Sequence, residues 1–317
     1  LGGKIAERIG YEPGIFFGTI AWIFLYAAMY LIEAHHIFFY ITPLIYGIQK
    51  SLYWPAYHAN FAKYSDDKEE GREISTISIM NSLMFVIGPA VGGWVLSIWG
   101  FQVLFVIVAV LFLVSNIPML ITKEKVKPAD VNYDYSLRRL FDKKNRRAFW
   151  AYVGFGEELI VLVIWPIFIS LFLSSYLSIG WLIALSTLIT AVMTLTIGRM
   201  TDEEDKRKVL RLGAWLYAAS WLFRLVTKLP ITIFFVDVFS SISKNVVSIP
   251  LTAITYENAK NHTVMNSVIF FEMSLAVGKL LACVAVYLLL FIFAGGLLPF
   301  YIIFILAAGI TLLYTRL

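Results

Sequence analysis

Residues 123–147 read KEKVKPADVNYDYSLRRLFDKKNRR. Nine of these residues are basic: Lys123, Lys125, Lys127, Arg138, Arg139, Lys143, Lys144, Arg146 and Arg147. Four are acidic: Glu124, Asp130, Asp134 and Asp142. The runs on either side are apolar over lengths that no soluble core requires, since ~20 such residues already cross a bilayer core of ~30 Å. The stretch therefore reads as a loop on one face of a membrane, joining two bundles of helices.

Working outward, Ile74 to Thr122 contains no charged residue. A single helix of that length would measure roughly 70 Å at ~1.5 Å per residue, more than twice the hydrocarbon thickness. The run must fold back, and Trp99-Gly100-Phe101 is the natural corner, giving spans over about 75–98 and 102–122. On the N-terminal side, spans are expected over 13–32 and 37–60, separated by Glu33-Ala34-His35-His36. On the C-terminal side, 148–198 breaks near Leu173-Ser174-Ser175-Tyr176. Further spans follow over 212–227 and 231–256, and 264–315 breaks at Ala294 to Pro299. The expected fold is all-α and polytopic, with ten transmembrane helices in three parts: a four-helix bundle over 1–122, a basic linker over 123–147 and a six-helix bundle over 148–317. Long unbroken apolar runs without two-residue alternation exclude a barrel.

Composition supports this. The chain is 60% hydrophobic and 15% charged, where a soluble domain is about half apolar and about a quarter charged. A net charge of +5 suggests nucleic acid at first sight. The basic residues sit in short loops between spans, however, where they orient the chain, so no nucleic-acid partner is expected. One set of loops holds Lys4 and Arg8, then Lys63, Lys68 and Arg72, the linker, the cations between Arg199 and Arg211, Lys260 and Arg316; the alternate set holds little but Lys228. That asymmetry places the first set, and both chain ends, in the cytoplasm. The one cysteine, Cys283, excludes an internal disulfide. His35-His36 lacks helical metal-ligand spacing, so neither a metal nor another cofactor is expected.

Three motifs point to a family. Gly3-Lys4-Ile5-Ala6-Glu7-Arg8-Ile9-Gly10 places Gly, three residues, an acid, Arg, one residue and Gly. Gly198-Arg199-Met200-Thr201-Asp202 repeats the Gly-to-acid spacing 195 residues later, followed by the basic pair Lys206-Arg207. Gly88-Pro89-Ala90-Val91-Gly92-Gly93 combines a proline kink with small residues that let helices approach in lipid. The first resembles the loop signature between helices two and three of the major facilitator superfamily, the second its echo in the other half, and the third the fifth-helix signature of that family's antiporters. The departures are Tyr11-Glu12 where the family carries two basic residues, Glu203 in place of Arg, and Asp205 in place of Gly. The resemblance implies a twelve-helix fold of which this chain carries helices three to twelve, the first two being absent. It implies gating loops at Gly3, Glu7, Arg8, Gly198, Asp202, Lys206 and Arg207. It also implies alternating access, in which two bundles rock about a midplane site.

Charges inside the spans are the candidate functional residues, because a charge at the bilayer centre costs roughly 2.5–3.5 kcal/mol on insertion scales. Glu157 and Glu158 fall about ten residues into the first span after the linker, and one of them is expected to carry a proton. Asp237 and Lys244 share a helix face, as do Glu272 and Lys279. Because these helices run in opposite directions, cross-pairing of Asp237 with Lys279 and of Lys244 with Glu272 is expected, as a moving network or a fixed brace. Lys50, among Tyr46, Tyr53, Trp54 and Tyr57, is either a solute contact or the partner of an absent helix. Arg224 is expected to snorkel toward the outer interface.

The reading that follows is a monomeric secondary transporter of a small solute in the cell membrane, coupled to protons or, alternatively, sodium, and without catalytic residues. Two other readings remain: a non-transporting sensor or assembly protein on the same fold, and a lipid-modifying membrane enzyme using acids such as Asp66, Asp67, Glu69 and Glu70.

Overall fold

The computed structural model describes residues 5, 8, 10–64, 70–121, 133–173, 175–260, 264–293 and 295–317. Among them every regular element is helical. In lipid a backbone must satisfy its own polar groups, and a helix does so within one segment. The long elements are α1 (Tyr11–Leu31), α2 (Ile37–Tyr64) and α3 (Glu70–Ser115). The short α4 (Tyr133–Phe141) follows. Then come α5 (Lys143–Ser170), α6 (Tyr176–Glu203), α7 (Lys206–Phe223), α8 (Pro230–Lys260), α9 (Val264–Ile292) and α10 (Leu298–Thr311).

Eight segments among the described residues are long and apolar enough to cross a membrane. Two features reconcile that number with the ten spans read from sequence. The segment Leu83–Ser115 counts once, yet α3 leaves helical geometry at Gly100, where φ is 77° and ψ is −177°. Only glycine adopts such a backbone readily, and this is the corner expected at Trp99-Gly100-Phe101. The second feature is α2, 28 residues long, whose Pro43, Pro55, Gln49 and Lys50 dilute its apolar character.

Contacts divide the chain into two units, Leu1–Ser78 with Trp94–Ser136 and His262–Ile269, and Ile79–Gly93 with Leu137–Asn261 and Phe270–Leu317. In the first unit, Trp22 of α1 stacks on Phe112 of α3 with centroids 5.7 Å apart. Gln102 reaches Glu33 at 3.3 Å. Partners that rise along α1 fall along α3, so the second half of α3 runs antiparallel to α1. In the second unit, the core is centred on an aromatic cluster of Trp165, Phe168, Trp221 and Phe304 from α5, α7 and α10.

The glycine-proline motif is only partly a packing device. A side chain on Gly180 of α6 would meet the Pro89 carbonyl at 2.5 Å, and one on Gly93 would meet the Tyr176 carbonyl at 2.8 Å. Gly88 and Gly92 face open space. The close approach therefore runs through Pro89 and Gly93, one helix face, while Gly88 and Gly92 lie off it.

Candidate functional site

The site is built on α5, the least regular of the long helices. It opens with a 3₁₀ turn capped by Asp142, whose side chain accepts from the Lys144 N–H at 3.0 Å. It tightens again at Gly154–Gly156 and widens to a π-helix over Ile160–Ile164. Pro166 explains the widening: it has no N–H to donate, and its ring would strike the carbonyl four residues earlier in a regular α-helix. Such π-bulges recur at functional sites. Gly156 and Gly278 of α9 touch backbone to backbone, and a side chain on either would overlap the other helix. This contact brings α5 and α9 together beside Glu157, Glu158 and Lys279.

Glu157 is fully buried. Tyr217 of α7 donates to its Oε2 at 2.5 Å. Tyr314, in the turn after α10, donates to its Oε1 at 2.9 Å. Lys244 of α8 forms an ion pair with the same Oε1, and its Nζ also lies 3.3 Å from the Tyr314 hydroxyl. Four elements thus meet on one carboxylate. In a low-dielectric interior an unpaired carboxylate would be expensive, and two phenol donors plus an ammonium counter-charge offset that penalty. Next to it, Glu158 pairs with Lys279 at 2.5 Å, and both side chains stay about a third exposed, 33% and 31%.

These pairings correct the expected cross-pairing. Lys244 meets Glu157 rather than Glu272, and Lys279 meets Glu158. Asp237 instead accepts from Trp165 Nε1 at 2.9 Å and from Ser186 Oγ at 2.5 Å. The Gly156–Gly278 contact carries α5 against α9, beside the pair that Glu158 forms with Lys279. Glu272 is half-buried on α9.

Arg224 departs further from expectation. It does not snorkel; it is 1% exposed. Its guanidinium lies between Trp221 and Trp165, 3.8 and 4.4 Å from the ring centroids. It donates to Ser240 Oγ at 2.7 Å. Its Nε and Nη1 have no hydrogen-bond partner among the described residues. Two indole faces take the place of water around the cation.

Lys50 lies in the first unit, 4.7 Å from the Trp54 ring and 5.7 Å from that of Tyr46. Of the expected gating residues, Gly3 and Glu7 lie outside the described residues, and Arg8 is exposed. Gly198 and Asp202 sit in the last turns of α6, their side chains outside the described residues. Lys206 and Arg207 open α7, where Asp205 accepts from the Arg207 N–H at 2.9 Å. Asp205, which breaks the family pattern, thus serves as the N-cap of α7.

Tyr217, Tyr314 and Trp165 escaped the sequence reading. Each is an aromatic polar group inside an apolar helix, and a buried hydroxyl or indole N–H requires a partner. That requirement was the available signal.

Residues 1–172 match the sequence model described as Major Facilitator Superfamily. The chain belongs to this family. Among curated proteins it is 23% identical over 211 residues to the multidrug resistance protein MdtH of Aeromonas hydrophila and to that of Aeromonas salmonicida. In each case the match covers 65% of this chain and 52% of the relative, so the chain spans about half the length of the curated relatives it matches. Among solved structures it resembles the E. coli fucose:proton symporter, with a TM-score of 0.60 at 15% identity, covering 99% of this chain and 85% of that one. It also resembles a D-xylose-proton symporter, with a TM-score of 0.73 at 11% identity, covering 98% and 82%. These two likenesses establish the shared transporter fold. The major facilitator chain described here is an integral, multi-pass membrane protein.

Proposed function

We infer that this protein is a secondary active transporter of a small solute, working by alternating access and coupled to protons through Glu157. The observation that carries the reading is a fully buried carboxylate, tied to a lysine and two tyrosines, within a membrane-spanning bundle. Ionised, Glu157 holds α5, α7, α8 and the C-terminal turn together. Protonated, it loses its charge and its grip on Lys244, which loosens the same four elements. The Lys244 side chain is 23% exposed, which supplies a route for the proton from the lysine side. Glu158 and Lys279, a third exposed at a depth where charges avoid acyl chains, face a hydrated space.

In this reading the two bundles, 1–122 and 148–317, rock about the solute while the linker over 123–147 spans them on the cytoplasmic face. The protein acts as a monomer in the cell membrane, both ends of the chain cytoplasmic, with no nucleic-acid partner. The loop residues Gly3, Glu7, Arg8, Gly198, Asp202, Lys206 and Arg207 gate the cytoplasmic route. Lys50, Asp237 and Glu272 line or brace the pathway.

The test is a solute screen in proteoliposomes carrying the product of the complete gene, with and without an imposed pH gradient. Glu157→Gln keeps the shape of the side chain but not its charge. Gradient-driven accumulation is expected to fall to the equilibrium level in this variant and in Glu157→Gln with Glu158→Gln, while solute exchange without a gradient persists. Undiminished gradient-driven accumulation in the double variant contradicts proton transfer at this site.

A further inference from the structure

The surroundings of Lys244 have the form of a receptor. Its ammonium lies 5.1 Å from the ring centroid of Phe155, 5.3 Å from Tyr217 and 5.4 Å from Tyr314. A cation within about 6 Å of an aromatic face is attracted by the ring quadrupole, and several rings around one ammonium form the cage used to recognise organic cations. Glu157 closes the cage with a full negative charge, and the Tyr314 hydroxyl adds an acceptor. Of the four wall groups, Glu157, Tyr217 and Tyr314 are buried and Phe155 is half-buried. The Lys244 side chain is 23% exposed, and its ammonium rides on a flexible four-carbon stem. The occupant has more freedom than the three buried walls.

We propose that the cage of Phe155, Tyr217, Tyr314 and Glu157 is a recognition site for a primary ammonium group on the transported solute, held in this structure by the chain's own Lys244. This inference rests on the transporter reading in naming the ligand as a solute; the cage itself stands on geometry alone. Lys244 directs one N–H to Glu157 and one toward Tyr314, leaving the third among the rings. A primary ammonium reproduces that pattern. A quaternary ammonium matches the charge but donates no hydrogen bond, and charge-assisted bonds are about twice as strong as neutral ones.

The chemistry can be tested by replacing what a mutation removes. Lys244→Ala deletes Cγ, Cδ, Cε and Nζ, which together are n-propylammonium. For K244A purified in detergent, n-propylammonium chloride is expected to raise the thermal midpoint above that in sodium chloride of equal concentration. The neutral isostere 1-propanol should have no such effect, and tetramethylammonium should bind roughly tenfold more weakly. The rise should vanish in K244A carrying Glu157→Gln. Where K244A is too unstable to isolate in sodium chloride, the yield of monodisperse protein after solubilisation in either salt reads the same rescue. Equal midpoints or yields in the two salts, or a rise that survives Glu157→Gln, would overturn the proposal. The outcome is separable from transport. Absence of rescue alongside intact proton-driven uptake by the unaltered protein removes the ammonium site alone. Rescue without any proton-driven uptake removes the transporter reading and leaves the site.

Discussion

Two buried charges in the same bundle are handled in opposite ways. Glu157 is saturated: two phenol hydroxyls and an ammonium converge on it from three other elements. Arg224, one helix end away, is held mainly by the faces of Trp165 and Trp221, with one hydrogen bond and two nitrogens unpartnered among the described residues. A saturated charge belongs to a network whose members depend on one another. An unsaturated charge in an aromatic slot is sustained by shape and polarisation. The first arrangement can switch when a proton arrives, because every partner reads the same carboxylate. The second has no such common reader.

The contrast predicts unequal responses to removal. Glu157→Ala strands Lys244 and two hydroxyls, and breaking a buried pair in this manner typically costs about 3–5 kcal/mol. Arg224→Met removes one hydrogen bond from a buried cation, a loss of about 1.5–3 kcal/mol, and leaves an apolar chain of similar length between the two indoles. Thermal midpoints in detergent should therefore fall steeply for E157A and less for R224M. Equal losses would erase the distinction.

Tyr217→Phe sharpens the comparison from within the network. It removes one charge-assisted bond to Glu157 without altering packing, a loss of about 1.5–3 kcal/mol. Paired with E157Q in a double-mutant cycle, the two changes should be strongly non-additive, whereas Y217F and R224M should add more nearly. The smallest effect is expected at Glu158→Gln. Its pair with Lys279 is a third exposed, and in the hydrated space proposed for it such a pair contributes about 0–1 kcal/mol. Stability should barely move in E158Q, and any change should appear in solute affinity.

These effects also mark what was legible in the sequence. The uncharged run from Ile74 to Thr122 and the charged loops that bound it were enough to place helices and the Gly100 corner, because lipid enforces helical backbone. Glu157 and Glu158 stood out by depth alone. Their partners did not, since Tyr217 and Tyr314 lie 60 and 157 residues away and bear no charge to draw attention. Arg224 was misread because depth along a helix says nothing of which way a side chain turns, and it turns inward between two tryptophans. The expected cross-pairs failed for a related reason. Matching rows on α8 and α9 ignored α5, which the Gly156–Gly278 contact carries against α9.

The most direct measurement is difference infrared spectroscopy of the protein in lipid vesicles as pH is lowered. A carboxylic C=O stretch should appear as Lys244 is released, and it should be missing in Glu157→Gln but retained in Glu158→Gln. A C=O band that persists unchanged in Glu157→Gln would show that the proton resides elsewhere, and the account of the buried carboxylate as the coupling group would be wrong.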